Sequence, residues 1–385
     1  MCACEAQEKT ESLMFRKANS KNDIRTFLIS MKEDKLRDTA HELYFSIAVV
    51  KECNCKCGYC YPFGQNKSIG ANMSDEEFFS IVTAAYESGF NKFKISGGEP
   101  TLVKWLFDEI EEVLNLHPEV NFTIITNGYD LEQHLDALEK HKDNISIQFS
   151  LDSASDQPKE GISKILNDKT RKLLLKLSEH GIKTRINTVL TKQNKVEVNE
   201  IIRLAAKLGF SIKLFNLFIQ DKYIATNGVN GVIGKYSNLS PFEYWKENYV
   251  NPEEVLDIIK RDYEVEKVDA VNEEGFGSVQ TTLRANGVKV ILLNSSGGAF
   301  FNPDICIKKC PLFGKTCEKG LFNPLVSSNA MLHIDDCNNQ TYRWNLRGKS
   351  HEEILLSMKE ILKLFAEVKF VNNPISIYPK VDRHT

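Results

Sequence analysis

Six strand-forming runs separated by segments of helical periodicity fill residues 43–220, and they restrict the fold more than any other feature. The runs are LYFSIAVV (43–50), FKIS (93–96), FTIIT (122–126), ISIQFSL (145–151), TRINTVL (184–190) and IKLFNLF (212–218). They are rich in β-branched and aromatic residues, as strands are. Helical spacing follows in MSDEEFFSIVTAAYESGF, near 102–116, in RKLLLKLSEHG and in VNEIIRLAAKLG. Ser74 and Glu77 have the spacing of a capping box. Strands alternating with helices imply parallel βα units. Six units are too few for a closed eight-stranded barrel. The α/β fold expected is therefore a partial (β/α)6 TIM-like barrel, with an open doubly wound sheet as the alternative.

The chemically unusual residues cluster at the same end of each unit. The first strand runs into CNCKCGYCYP (53–62), the second into Ser96-Gly97-Gly98-Glu99-Pro100, the third into Thr126-Asn127-Gly128 and the fourth into Ser150-Leu151-Asp152. In parallel βα barrels those C-terminal strand ends form the active-site face. Any one of these motifs taken singly reads equally well as a turn.

Residues 1–40 are polar and read as an N-terminal extension, and 41–220 as the barrel core. Residues 221–345 form a C-terminal region with a helix (PEEVLDIIKRDY), a β-like stretch (VQTTLRANGVKVILL) and a second cysteine group: Cys306, Cys310, Cys317 and Cys337. Residues 346–385 carry an amphipathic helix, HEEILLSMKEILKLFAEVK, and a tail. The start, MCACEAQEKTESLMFRK, lacks the apolar core of a secretory signal, and no apolar run is long enough to span a membrane. A cytoplasmic location is the expectation, where ten cysteines point to metal or catalysis rather than disulfides. The net charge of −3 argues against a general nucleic-acid-binding surface.

Cys53, Cys55, Cys57 and Cys60 by themselves allow a zinc knuckle, a disulfide staple, a redox pair or ligands of an iron–sulfur cluster. Three thiolates on one short loop, such as Cys53-x3-Cys57-x2-Cys60, would leave one iron of a cubane open to a small molecule. Cys55 could join a zinc site instead.

The Cys53-x3-Cys57-x2-Cys60 spacing, with aromatic Tyr59 before the last cysteine and Glu99 in SGGEP, resembles the signature of radical S-adenosylmethionine (SAM) enzymes. That resemblance implies a [4Fe–4S] cluster on Cys53, Cys57 and Cys60, with Cys55 a bystander. SAM would be chelated at the open iron and cleaved reductively to a 5′-deoxyadenosyl radical that abstracts hydrogen from a substrate. Gly97, Gly98 and Glu99 would meet the SAM amino group, with Tyr59, Ser150 and Phe218 as further SAM contacts. A reductant such as flavodoxin or ferredoxin is implied as partner.

Within that superfamily, residues 43–365 resemble the MoaA family of GTP 3′,8-cyclases of molybdenum-cofactor synthesis. The likeness runs through YCYP, SGGEPTL, TNG, SLDS, RINTVLTKQN, FGSVQTTLRANGVKVILL and NLRGKSHEEI. It implies an auxiliary [4Fe–4S] cluster in 221–345, as in Twitch and SPASM extensions, drawing on Cys306, Cys310, Cys317 and Cys337. The residues that would read GTP depart from the family. Ser46, Ile125, Lys94 and Lys213 stand where MoaA has Arg, Thr, Arg and Arg, and Arg185 replaces a Lys. The Arg-x-Arg pair after the second auxiliary cysteine is absent, and DRHT replaces a Gly-Gly tail. Lys94, Arg185 and Lys213, with Lys92 nearby, remain candidates for an anion pocket, although Lys offers a point charge where Arg offers a fork. The expectation is a nucleotide-like or other anionic small-molecule substrate. GTP cyclisation itself, peptide maturation and a non-catalytic zinc or iron–sulfur protein are the alternatives.

Overall fold

The computed structural model describes residues 34–60, 71–157, 159, 161–217, 241–268, 276, 279–293, 298–310, 313, 320–334 and 342–371. Six strands stand side by side in sequence order: β1 (Phe45–Ala48), β2 (Lys92–Ser96), β3 (Asn121–Thr126), β4 (Ile145–Ser150), β5 (Thr184–Val189) and β6 (Ser211–Phe215). Every neighbouring pair among them is parallel. Helices α1 (Asp75–Glu87), α2 (Leu106–Leu116), α3 (Leu135–Lys140), α4 (Asp168–Glu179) and α5 (Val198–Leu208) lie in the crossovers. This is the mixed α/β partial barrel that the alternation predicts.

Register explains why the strands read as alternating rather than as unbroken apolar runs. Phe45, Phe93, Phe122 and Ile145 pair across the sheet, and so do Ile47, Ile95, Ile124 and Ile147. These rows are almost fully buried and form the face packed under the helices. Phe93 lies 6.0 Å from Phe45 and 5.5 Å from Phe122 between ring centroids. The intervening rows are polar. Ser46, Lys94, Thr123 and Ser146 pair across the opposite face, as do Gln148 with Arg185 and Asn187 with Lys213. Parallel sheets with two dry faces are apolar on both. A polar inner face is what a barrel that admits a ligand requires.

Local signals are realised where predicted. The Ser74 hydroxyl accepts from the Glu77 N–H at 3.1 Å, and the Glu77 carboxylate accepts from the Ser74 N–H at 3.0 Å, closing the capping box of α1. α5 ends on Gly209 at φ 72°, a left-handed cap that suits glycine.

The sheet grows beyond the six strands at both edges. Helices α6 (Pro241–Asn248) and α7 (Pro252–Asp262) precede β7 (Val265–Val268), β8 (Gln280–Ala285) and β9 (Val288–Leu293). The β8–β9 turn, Asn286-Gly287, has positive φ at both residues, the pattern of a tight two-residue hairpin. β9 lies parallel to β6. β10 (Ala299–Phe301) pairs elsewhere, with β14 (Lys369–Val371). At the other edge β11 (Leu325–Val326) lies parallel to β1 and leads into antiparallel β12 (Met331–His333) and β13 (Arg343–Asn345). β10 to β14 have no more than three residues each, too few to show a period. Helix α8 (His351–Phe365) packs on α1.

Candidate active site

The cysteine loop is built on the end of β2. Val49 N–H donates to Ser96 C=O at 2.9 Å, Gly98 N–H to Val50 C=O at 2.6 Å, and Glu99 N–H to Glu52 C=O at 2.8 Å. The chain leading into Cys53 is thus zipped to SGGE. Only glycine permits this approach. A Cβ on Gly98 would lie 1.9 Å from the Glu52 carbonyl oxygen, and one on Gly97 would lie 2.5 Å from that of Val50.

Glu99 draws the next strand end in. Its buried carboxylate accepts from Thr101 N–H at 3.1 Å, Thr101 Oγ1 at 2.8 Å, Thr126 Oγ1 at 2.5 Å and Asn127 N–H at 2.7 Å. Four donors satisfy an anion that would otherwise be costly to bury. The carboxylate therefore faces inward, and what this segment offers a ligand is its backbone. Asn127, fixed in this way, reaches back with Nδ2 to Asn54 Oδ1 at 2.9 Å and to the Cys55 sulfur at 3.3 Å.

Hydrogen bonding with Cys53 and Cys57 holds the Cys55 thiol far above its usual range. The hydrogen bond from Cys55 is the leading influence that lowers Cys53 to about 7 and Cys57 to about 5. Burial pushes Cys60 up to about 11. Cys55 thus behaves as the donor within the loop while two of its neighbours take thiolate character.

A second backbone segment flanks the loop. Gly58 N–H donates to Gly161 C=O at 2.8 Å, and Lys56 N–H to Ser163 Oγ at 3.1 Å. Asp152 N–H at the β4 end donates to Lys164 C=O at 2.8 Å. The Tyr59 hydroxyl donates to Asp152 Oδ2, whose other oxygen accepts from Val189 N–H at 2.9 Å. Burial is the main reason that Asp152 is raised to about 6. The Lys164 ammonium lies 5.4 Å from the centre of the Tyr59 ring. Tyr244 on α6 closes over the turn, its hydroxyl 2.9 Å from where a Cβ on Gly58 would stand. Ser150, Asn127, Cys55, Ser163 and Lys164 line a cavity of about 130 Å³ beside the loop.

Four of the expected basic residues are found on the polar face. Lys94 and Lys213 are buried, with Lys94 Nζ 4.2 Å from the Tyr44 ring centre and Lys213 Nζ 5.1 Å from that of Phe215. Arg185 Nε donates to Asn187 Oδ1 at 3.0 Å, and Asn187 Nδ2 to Gln148 Oε1 at 3.0 Å. Lys92 sits farther from the strand ends, 5.6 Å from the Tyr44 ring.

Cys306 and Cys310 share one turn, with Cys310 N–H donating to Cys306 C=O at 3.2 Å. Phe218, Cys317 and Cys337 lie outside the described residues. Asp152, Lys164 and Asn127 were not singled out by sequence reasoning. Asp152 and Asn127 stand inside quoted strand-end motifs, whereas Lys164 sits in a mixed polar loop with no signal of its own.

Residues 47–205, which hold the cysteine loop and the strand ends beneath it, match the Radical SAM superfamily. Relatives include GTP 3′,8-cyclase of Nautilia profundicola, 27% identical over half of this chain and 61% of that protein, and GTP 3′,8-cyclase of Clostridium botulinum (strain Okra), 29% identical over 52% and 66%. The matches thus span just under two thirds of those relatives. Among solved structures, Streptococcus suis SuiB bound to S-adenosylmethionine shares the fold at TM-score 0.55 and 19% identity, over 90% of this chain and 74% of that one.

A radical SAM domain works with SAM and a [4Fe–4S] cluster, and the motif at Cys53, Cys57 and Cys60 fits. The donor chemistry agrees, because hydrogen bonding within the loop lowers two of the three thiols toward the thiolate form that ligates iron. Among the described residues no three His, Cys, Asp or Glu side chains converge on one ion. A cubane needs no such convergence, since each thiolate binds a different iron.

Proposed function

We propose that this chain is a radical SAM enzyme acting on an anionic small molecule, nucleotide-like in character, with Cys53, Cys57 and Cys60 as the ligands of the SAM-binding cluster. The observation carrying this reading is the junction of the cysteine loop with SGGE, TNG and SLD at one end of the barrel. When bound, the cluster and SAM supply one-electron cleavage of the SAM sulfur–C5′ bond and a carbon radical able to take hydrogen from a substrate. The electron comes from a reductant of the flavodoxin or ferredoxin type.

The chain's own residues bind and orient. Glu99 fixes the Gly97–Gly98 backbone, which offers its polar atoms to the SAM methionyl group. Asp152 holds Tyr59 against the cofactor, and Ser150 and Phe218 are the further SAM contacts. Lys94, Arg185 and Lys213 line the route by which an anionic substrate is held, and the helices exclude water from the far face of the sheet. Cys306, Cys310, Cys317 and Cys337 are the candidate ligands of an auxiliary [4Fe–4S] cluster. The enzyme works in the cytoplasm.

The test is anaerobic reconstitution of the full chain, followed by reduction in the presence of SAM. Formation of 5′-deoxyadenosine is expected. A loaded, reducible cluster that leaves SAM intact would sink the proposal. The relatives' activity favours GTP as a second reading, with the product being the cyclised nucleotide. Incubation with GTP separates the two, because the altered Ser46, Ile125, Lys94 and Lys213 positions favour a different substrate.

A further inference from the structure

We propose that Lys164 is the cation that sets the charge balance of the Cys53–Cys60 cluster site, and so the ease with which that cluster takes an electron. The inference rests on the radical SAM reading above and extends it to a residue outside every motif of the family signature.

The geometry fixes Lys164 in place from both sides. Its backbone carbonyl accepts from Asp152 N–H at 2.8 Å and from Ser153 N–H at 3.2 Å, which pins it to the end of β4. Residues on its N-terminal side are pinned to the cysteine loop, through Gly161 C=O to Gly58 and Ser163 Oγ to Lys56. The side chain then has one place to go. Its ammonium lies 5.4 Å from the Tyr59 ring centre, and Lys164 lines the small cavity shared with Cys55, Asn127 and Ser150. Asp152 is buried completely and shared with the Tyr59 hydroxyl, so the lysine is one part of a Lys164–Asp152–Tyr59 arrangement wrapped around the loop.

Charge determines what such a lysine does. A cubane held by three thiolates is anionic, and reduction adds one more negative charge. A fixed cation in a low-dielectric site stabilises the reduced form more than the oxidised one. Asp152 works in the opposite sense, so the two side chains set the potential between them. Few other residue types would serve, since an arginine or lysine is needed to remain charged next to buried thiols.

The experiment uses the full chain, reconstituted anaerobically, with iron content and the midpoint potential followed by electron paramagnetic resonance during a redox titration. Lys164→Met is expected to load iron like the native chain and to shift the midpoint to a more negative potential. Lys164→Arg is expected to restore it. Asp152→Asn should shift it the other way. An unchanged midpoint in loaded Lys164→Met would overturn the proposal, as would Asp152→Asn moving in the same direction as Lys164→Met. If Lys164→Met loads no iron while Lys164→Arg loads normally, a positive charge is needed even to gather the thiolates, and the proposal stands. If neither loads, the site requires lysine's shape rather than its charge, and the proposal fails. A native chain that forms no redox-active cluster removes the radical SAM reading itself, which is a distinguishable result.

Discussion

The two cysteine-bearing segments are held by different means. The Cys53–Cys60 loop rests on the ends of β2, β3 and β4, through hydrogen bonds from SGGE, a four-donor carboxylate and the Tyr59–Asp152 contact. Among the described residues, the Cys306–Cys310 turn is capped by a single side chain. Asn302 Oδ1 accepts from Asp304 N–H at 2.9 Å and Ile305 N–H at 3.0 Å, and its Nδ2 donates to Leu364 C=O at 2.7 Å on α8. A site assembled from several strand ends is as rigid as the sheet. A site hung on a helix cap depends on whether that helix stays docked. The first arrangement suits chemistry that must be repeatable in position, and the second suits a group whose role is support or substrate contact.

The sharpest way to break this comparison is to remove a thiolate from each segment. On the proposed two-cluster reading, Cys57→Ala should abolish 5′-deoxyadenosine formation and lower the iron per chain by roughly half, since one of the two proposed cubanes is lost. Cys306→Ala should leave SAM cleavage without substrate largely intact while lowering iron by a similar amount. Iron analysis beside a SAM-cleavage assay checks both, and loss of SAM cleavage in Cys306→Ala would erase the distinction.

Glu99→Gln tests the rigidity of the first segment. One oxygen that accepts becomes an amide that donates, and it faces Thr101, Thr126 or Asn127 donors in a buried place. A clash of donors with loss of a buried, fully bonded charge costs about 3 kcal/mol. Chemical denaturation should show that loss, together with poorer cluster loading. A variant as stable as the native chain would mean that Glu99 serves the ligand rather than the fold.

The sequence made the barrel legible because its strands are rich in β-branched and aromatic residues, the segments between them keep helical spacing, and α1 opens on a capping box. The cysteine spacing was legible for the same reason that it is chemically useful, since all its parts are local. What escaped were partnerships formed between distant segments. Asp152 and Lys164 meet Tyr59 only after the β4 end folds back over the loop, and nothing near Lys164 marks it. The role of the glycines in SGGE was half visible. The family resemblance implied a ligand contact for them, whereas the structure shows them first as the only residues that let the chain pass Val50 and Glu52. The edge strands β11 to β13 were missed because two- or three-residue strands are defined by their partners.

Asn302→Ala probes the second segment. It removes a cap and the tie to α8, which costs about 2 kcal/mol. Hydrogen exchange should rise in residues 303–310 and at the C-terminal end of α8 while β2 to β4 keep their protection. Equal loosening of the barrel would show that the two segments are one cooperative unit.

Arg347 provides the smallest effect and the most informative link. Its Nε donates to Glu77 Oε1 at 2.7 Å, and its Nη2 to Glu77 Oε2 and the Asn72 carbonyl, both at 3.0 Å. Asn72 in turn donates to the Glu52 carboxylate at 2.6 Å and accepts from Lys51 N–H at 3.2 Å, at the base of the cysteine loop. Beside the Tyr244 contact at Gly58, this partly exposed ion pair, worth about 1 kcal/mol, is a further connection between the C-terminal region and the loop. The hydrogen bonds from Arg347 hold the Glu77 carboxyl below its usual value of 4.5. A lowered carboxyl pKa contributes stability that is present above the unfolded value and fades as pH falls through the folded one. Arg347→Met should thus lower stability near neutral pH and flatten its acid dependence below about pH 5, in denaturation curves collected from pH 7 down to 3. If the native chain and the variant lose stability in parallel over that range, the pair is not what joins the two regions, and α8 packing on α1 must carry the link instead.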